Sequence, residues 1–280
     1  MEIAMDVSLD PTLGCGQAHR WRKTADGWQG VLDNSVVTLT QTPGGFRCEG
    51  AVSKRKILEY FRHGDDLAAI YENISASDGY LASVAEACPG LRLLRQDPWE
   101  CTATYILAVN ANVKRIISMV ESVCDEFGRD LGALRAFPTP GEILDGADRI
   151  AVCKLGYREK RFVDFAGAVE DGDVDLGAIG EMDYAGCREA LKEIHGIGDK
   201  VADCISLFAF GHMESFPVDA RIKAILRDVY GVEGTYAELA DFGRRSFGDY
   251  PGYAQELLYH AKAVSLVQAQ SGGSRPVSTL

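Results

Sequence analysis

Apolar positions follow two rhythms along the chain. In the N-terminal part they form short runs rich in β-branched and aromatic residues, Trp28–Val31 and Val36–Gln41. Thr42-Pro43-Gly44-Gly45 then supplies the Pro-Gly pair of a type II turn before Phe46-Arg47-Cys48. An antiparallel meander is predicted there. Between Ser53 and Ala87 the runs become short helical pieces, KRKILEYFRH and GYLASVAEAC, interrupted by Gly and Asp. From Asp97-Pro98 onward the period is helical. Asp97 reads as an N-cap with proline at the first helical position, and the segment to about Asn110 is apolar nearly all round, as a central helix is. Further helices are expected at Val113–Phe127, Gly141–Ala147, Arg158–Glu170, Gly186–His195, Val201–Phe210, Ala220–Tyr230, Thr235–Phe247 and Gly252–Gln270. The Ser/Gly/Pro-rich tail 271–280 is expected to be disordered. The pattern predicts an α+β protein, with an N-terminal antiparallel β-sheet domain carrying short helices over residues 1–97 and a mainly α-helical domain over 98–270.

The helical part is organised around residues 191–230, LKEIHGIGDKVADCISLFAFGHMESFPVDARIKAILRDVY. A helix running into His195 meets Gly196-Ile197-Gly198, and an apolar helix starts at once with Asp199-Lys200-Val201. The two glycines permit φ > 0 and leave N–H groups uncovered at a helix N-terminus, which suits a phosphate. Lys200 falls in the first turn of a dry helix, where dipole and burial favour the neutral amine, a nucleophile toward electrophilic carbon. The plainer alternative is a lysine reaching solvent beside Asp199. Asp219 would cap the helix that starts at Ala220, and capping alone accounts for it. Cys204, four residues after Lys200, shares its helix face, where a small core thiol is the commoner reading.

Two more positions invite the same double reading. Gln255 and Tyr259, four apart in the last helix, bring an amide and an aromatic plane to one face, or simply pack the core. Asn110 stands in an otherwise apolar helix, where an unpaired amide costs about 1–3 kcal/mol. It therefore needs a partner, from within the protein or outside it.

Bulk properties narrow the choice. The chain has 280 residues, 46% hydrophobic and 25% charged, which is ordinary globular composition. No run of 18 apolar residues occurs, and the N-terminus is acidic and broken by Pro11, so neither a membrane span nor a signal peptide is expected. The default is a soluble cytoplasmic protein. The eight cysteines come no closer than Cys88 and Cys101, which leaves no CxxC-type cluster for zinc or an iron–sulfur centre. A metal-free protein with reduced, buried thiols is expected. The net charge of −12 argues against broad polyanion binding. Basic clusters at Arg20-Arg22-Lys23, Lys54-Arg55-Lys56, Lys114-Arg115 and Lys154/Arg158/Lys160/Arg161 would make any nucleic-acid contact focal and salt-sensitive, the Lys54–Lys56 group being equally a solvated face.

A helix, a Gly-x-Gly hairpin, a lysine two residues after the second glycine and a downstream Val-Asp resemble the helix-hairpin-helix DNA glycosylase superfamily. Within it, LLRQDPWEC (93–101), NANVKRI (110–116), KLGYREKRFV (154–163), GIGDKVADCI (196–205) and PVDARI (217–222) look like the 8-oxoguanine DNA glycosylases. GQAHRW (16–21) followed by GVLDNSVVTLTQT (30–42) is similar to that family's β-domain, so the resemblance spans about residues 10–268.

The resemblance implies a bifunctional glycosylase and AP lyase. Lys200 is then the nucleophile that attacks the sugar C1′, expels the damaged base and, after ring opening, forms an imine that acidifies the C2′ proton for β-elimination. Asp219 is the carboxylate that favours the developing sugar cation and helps take a proton from the lysine. The flipped base would be read by Gln255, stacked on Tyr259 where animal members carry Phe, covered by Cys204 on its other face, and recognised at its N7–H by the carbonyl of Gly16. Asn110 and Arg158 would contact the orphaned cytosine, Arg115 would lie near it, and Tyr157 would wedge beside it. Gly196 and Gly198 would hold phosphate, as would Arg221, which stands where animal members have histidine.

His19 replaces an aromatic residue near the base, and residues 109–112 are less asparagine-rich than in animal members, which bears on selection for opposite cytosine. The implied partner is double-stranded DNA containing 8-oxoguanine, with no cofactor, no membrane and a monomeric enzyme, in the nucleoid of a prokaryotic or archaeal cell. Two rivals stay open. A sister enzyme for oxidised pyrimidines would normally carry the missing cysteine cluster. A noncatalytic hairpin module would keep the glycine turn but have no use for a dry Lys200.

Overall fold

A computed structural model describes residues 1–271. The tail expected to be disordered lies, beyond Ser271, outside the described residues.

Five strands form one antiparallel sheet in the order β1-β5-β4-β3-β2, with β1 Glu2–Ala4, β2 Arg22–Thr24, β3 Gly27–Leu32, β4 Ser35–Thr42 and β5 Gly45–Glu49. The meander β3–β4–β5 is where the sequence pattern places it. Asp33-Asn34 turns β3 into β4 with both residues at positive φ, 51° and 57°, the geometry of a type I′ hairpin. At the next turn the expectation needs correcting, because Gly45 rather than Gly44 takes positive φ, at 148°. The reason is β1, which runs so close that a Cβ on Gly45 would sit 2.0 Å from the Ile3 carbonyl oxygen. Helix α1 (Leu9–Gly14) links β1 to β2, and α2 (Lys54–Tyr60) closes the sheet's apolar face over Val37, Leu39, Phe46 and Phe61.

The remaining helices are α3 Leu67–Ser77, α4 Gly79–Ala87, α5 Pro98–Ala108, α6 Val113–Phe127, α7 Pro140–Asp145, α8 Arg158–Glu170, α9 Leu176–Gly180, α10 Tyr184–Lys192, α11 Asp199–Ile205, α12 Ala220–Tyr230, α13 Tyr236–Ser246 and α14 Pro251–Ser271. They share a second apolar core that runs from Leu67 to Leu258, so α3 and α4 pack with the helical body. The central helix α5 is buried nearly all round and capped by Asp97, whose side chain accepts the Glu100 N–H.

Three helix expectations change. Helix α5 stops at Ala108, which places Asn110 outside it at φ 52°. Helix α10 ends at Lys192, short of His195, and α11 gives way to a π-helical turn at Ser206–Phe210. Tertiary bonds favour that last break. The Phe208 carbonyl accepts the Gln96 N–H, and the Ser206 carbonyl accepts the His212 N–H. No helix among the described residues is long and apolar enough to cross a membrane.

Candidate active site

Helix α10, the turn Gly196-Ile197-Gly198 and α11 form a helix-hairpin-helix. Gly196 has φ 97°, and a Cβ there would lie 2.9 Å from Arg161 Cδ, so the turn needs glycine for both conformation and space. Gly198 departs from expectation, since its φ of −103° is ordinary and its role is to precede α11 as N-cap residue. A Cβ on Gly198 would meet nothing within 4 Å, which leaves this face open to a ligand.

Helix α11 is fixed from behind by Asp203. This fully buried carboxylate accepts from Tyr184 Oη at 2.7 Å, Arg188 Nε at 3.0 Å and the Tyr236 hydroxyl, binding α10, α11 and α13 together. On the front of the same helix Lys200 is directed into a cavity of about 130 Å³ that Gly16, His19, Tyr105, Cys204, Asp219, Gln255 and Tyr259 help to line. One pocket thus gathers the expected nucleophile, carboxylate and base-binding side chains. A far larger cavity of about 1030 Å³ shares His19 but includes neither Lys200 nor Asp219 in its lining, so volume alone does not identify the site.

Asp219 is the N-cap of α12, where its Oδ1 accepts the Arg221 N–H at 2.9 Å and the Ile222 N–H at 2.8 Å. Lys200 Nζ lies 5.4 Å from the Tyr105 ring centroid, a cation–π contact. The surroundings run against the expectation that a dry site favours the neutral amine. The Cys204 sulfur once ionised, and the Asp219 carboxylate, together outweigh burial and raise the ammonium above the usual lysine range; of the two, Asp219 is the one charged near neutral pH. Burial pushes the Cys204 thiol up to about 11, so near neutral pH an ammonium faces a neutral thiol. Burial, with Lys200 nearby, lowers His19 to about 4 and keeps that imidazole uncharged.

The cavity wall expected to face the base comes from α14 and the loop after α1. Gly16 takes φ 103°, and a Cβ would come 3.7 Å from Tyr259 Cε1. Gln17 bolts this loop down. Its Nε2 donates to the Thr12 and Arg92 carbonyls at 2.9 Å each, and its Oε1 accepts the Leu94 N–H at 2.8 Å. Gln255 is 5% exposed and its Oε1 has no partner in the protein. An orphaned buried oxygen costs about 1–3 kcal/mol unless a ligand supplies a donor. Arg221, expected at a DNA phosphate, also contacts the cavity wall. Its guanidinium stacks 4.1 Å from the Tyr259 ring centroid and donates to the Tyr259 carbonyl, so it braces that wall of the cavity.

A second group lies where the chain leaves α5. Asn110 is exposed, and its Nδ2 donates to Tyr157 Oη at 3.4 Å. The Tyr157 hydroxyl donates to the Val109 carbonyl at 3.0 Å, and its ring is 53% exposed, a free aromatic edge suited to a wedge. Arg158 is buried, with Nε donating to the Val109 carbonyl at 2.9 Å and Nη2 to the Asn110 carbonyl at 3.2 Å. Its guanidinium therefore positions the Asn110 loop. Exposed Arg115 donates to the Lys154 carbonyl and ties the two loops together. Sequence reasoning missed Arg161, which reaches the hairpin at Gly196 and lies 5.3 Å from the Tyr157 ring centroid, and Glu256, a buried carboxyl lining the cavity. Neither was legible, since one is a residue in a charged run and the other resembles a helix-surface glutamate.

All eight cysteines are buried and unpaired, and no cluster of His, Cys, Asp and Glu placed to hold a metal occurs among the described residues. A lysine beside a capping carboxylate, at the exit of a hairpin with an open glycine face, defines a helix-hairpin-helix DNA glycosylase. Residues 3–102 match the family model described as "8-oxoguanine DNA glycosylase, N-terminal domain". The "N-glycosylase/DNA lyase OGG1" of Arabidopsis thaliana is 28% identical over 98% of this chain and 82% of its own. The solved structure of MBOgg1 in complex with a low-affinity DNA ligand superposes with a TM-score of 0.88 at 30% identity, covering 93% of this chain and 94% of that one. The Clostridium acetobutylicum 8-oxoguanine glycosylase/lyase, solved with DNA containing cytosine opposite 8-oxoG, gives a TM-score of 0.87 at 26% identity and covers 93% of each chain. The chain belongs to the 8-oxoguanine DNA glycosylase family.

Proposed function

We propose that this protein is a bifunctional DNA glycosylase and AP lyase that excises 8-oxoguanine, preferring cytosine as the opposite base. The observation that carries the reading is the placement of Lys200, half-buried in one cavity with Asp219 and with the unpartnered Gln255 Oε1. Residues 1–97 contribute Gly16, Gln17 and His19 to that cavity, and 98–270 contribute the rest.

Lys200 first gives up a proton, since its surroundings favour the ammonium. Asp219, or the departing base, receives it. The free amine bonds to C1′ as the bond from C1′ to the base nitrogen breaks, and the base leaves with that electron pair and takes a proton. Asp219 stabilises positive charge on the sugar during displacement. Opening of the sugar ring gives an imine, and loss of the C2′ proton then expels the 3′ phosphate. Gln255 and Gly16 read the extruded base and Tyr259 stacks on it, with Cys204 against the opposite face. Tyr157 fills the gap in the duplex while Asn110, held by Arg158, meets the orphaned cytosine. Gly196 and Gly198 hold the backbone phosphate. The enzyme works as a monomer in the nucleoid of a prokaryotic or archaeal cytoplasm.

The test is borohydride trapping on a duplex with 8-oxoguanine opposite cytosine. Wild-type protein is expected to form a covalent adduct, and Lys200→Gln none. An undiminished adduct from the variant would falsify the assignment.

A further inference from the structure

Gln255 is not the only buried oxygen in this cavity without a partner. Its neighbour Glu256 is 3% exposed and lines the same cavity, and its Oε1 also lacks any hydrogen bond. Two orphaned acceptors lining one cavity are costly in a folded protein unless a ligand satisfies both. We propose that Glu256 is a second reader of the damaged base, forming with Gln255 a two-acceptor edge for a purine that presents two neighbouring N–H donors, the N1–H and exocyclic amino group of an oxidised guanine. This rests on the glycosylase reading above and extends it to a residue at which a carboxylate adds charge-assisted recognition to the amide.

The surroundings of Glu256 suit that task. The Cys15 thiol, one residue before Gly16, lies close enough to lower the carboxyl slightly, while its own hydrogen bond goes to the Thr12 carbonyl. Asp219 at the N-cap of α12 repels the Glu256 anion and Arg221 of α12 attracts it. Cys88 after α4, Tyr105 of α5 and Tyr259 of α14 stand near it, and His19, Lys200 and Cys204 line the same cavity. Burial raises the carboxyl to about 7, with Asp219 adding to the rise. Near neutral pH it is shared between acid and anion, and a donor pair from the base draws it to the anion. Below that pH the carboxyl holds its own proton, and one acceptor of the edge is weakened. Recognition therefore weakens as pH falls through about 7.

The experiment measures single-turnover excision by the full chain on duplexes carrying 8-oxoguanine or 8-oxohypoxanthine, which lacks the exocyclic amine, each opposite cytosine. Wild-type protein is expected to prefer 8-oxoguanine by roughly 10- to 100-fold, the value of a hydrogen bond to a charged group. Glu256→Met should bring the two substrates toward equal rates, and Glu256→Gln should remove the acid limb near pH 7 from the rate profile. An unchanged substrate ratio in Glu256→Met, whatever its absolute rate, overturns the proposal, because a residue that only packs slows both substrates alike. If Glu256→Met does not melt cooperatively, an acid limb that persists in Glu256→Gln overturns it as well. Should wild-type protein excise neither base, the glycosylase reading itself fails and this inference with it.

Discussion

Asp219 holds two tasks that one substitution can separate. Its side chain caps α12 through the Arg221 and Ile222 N–H groups, and its charge helps to keep Lys200 protonated. Asparagine caps a helix about as well as aspartate, so Asp219→Asn should leave stability within about 0.5 kcal/mol of wild type. The charge is lost, with two consequences of opposite sign. Lys200 has its protonation range raised in the folded protein, and removing a nearby anion lowers it, so the pH at which the reactive amine appears moves down. The sugar cation meanwhile loses its counter-charge, and the plateau rate should fall by roughly 100-fold, the size of one lost transition-state contact. Thermal melting and single-turnover excision across pH measure both. Loss of the cooperative melt would instead make capping the dominant task.

At the scale of elements, the loops after α5 and before α8 act as one device, because Arg158 bonds the Val109 and Asn110 carbonyls while Tyr157 bonds the Val109 carbonyl from the exposed side. Arg158→Ala leaves the Asn110 carbonyl without its donor and the Val109 carbonyl with Tyr157 alone, which loosens the Asn110 loop. The ratio of excision opposite cytosine to that opposite adenine is expected to fall by roughly 10-fold, within the range of one lost base discrimination. Asn110→Ala should lower it in the same direction. Unchanged ratios in both variants would show that these loops do not read the orphaned base.

The same device shows where sequence reasoning stops. Helix periodicity placed α6, α8 and α12 at their observed bounds, and the Asp97, Asp219 and Gly196 signals each found their element. It ran α5 on to Asn110 because Val109 continues the apolar run, whereas the chain turns at Asn110 in the left-handed region that asparagine tolerates. Half-buried Lys200 was legible as a helix-start lysine on a largely apolar helix, but its protonation was not. That depends on Asp219, whose approach is set by tertiary packing, as well as on Cys204 one turn along the same helix.

For the whole molecule the question is how a chain of net charge −12 holds a polyanion. Many of its basic side chains are already committed to carboxylates, among them Arg22 to Glu121, Lys23 to Asp10, Lys160 to Asp164 and Arg188 to Asp203. Around the hairpin and Tyr157 stand Lys114, Arg115, Lys154 and Arg161, the first three exposed and the fourth half-buried against Gly196. Contact with about four phosphates gives a slope near −3.6 for log affinity against log salt, since each neutralised phosphate contributes about −0.9. Between 50 and 200 mM salt the loss should then be on the order of 100-fold, well short of the 10³–10⁵-fold expected for 6–10 contacts. Lys200→Gln, which binds without turnover, allows the slope to be read by fluorescence anisotropy on a lesion duplex. Lys154→Ala should make it shallower by about one. A slope of −6 or steeper would mean that phosphate contact extends to other basic clusters such as Lys54–Lys56. Binding would then run along the N-terminal unit as well as the hairpin, and the negative charge of the remaining surface would be no barrier to a broad interface.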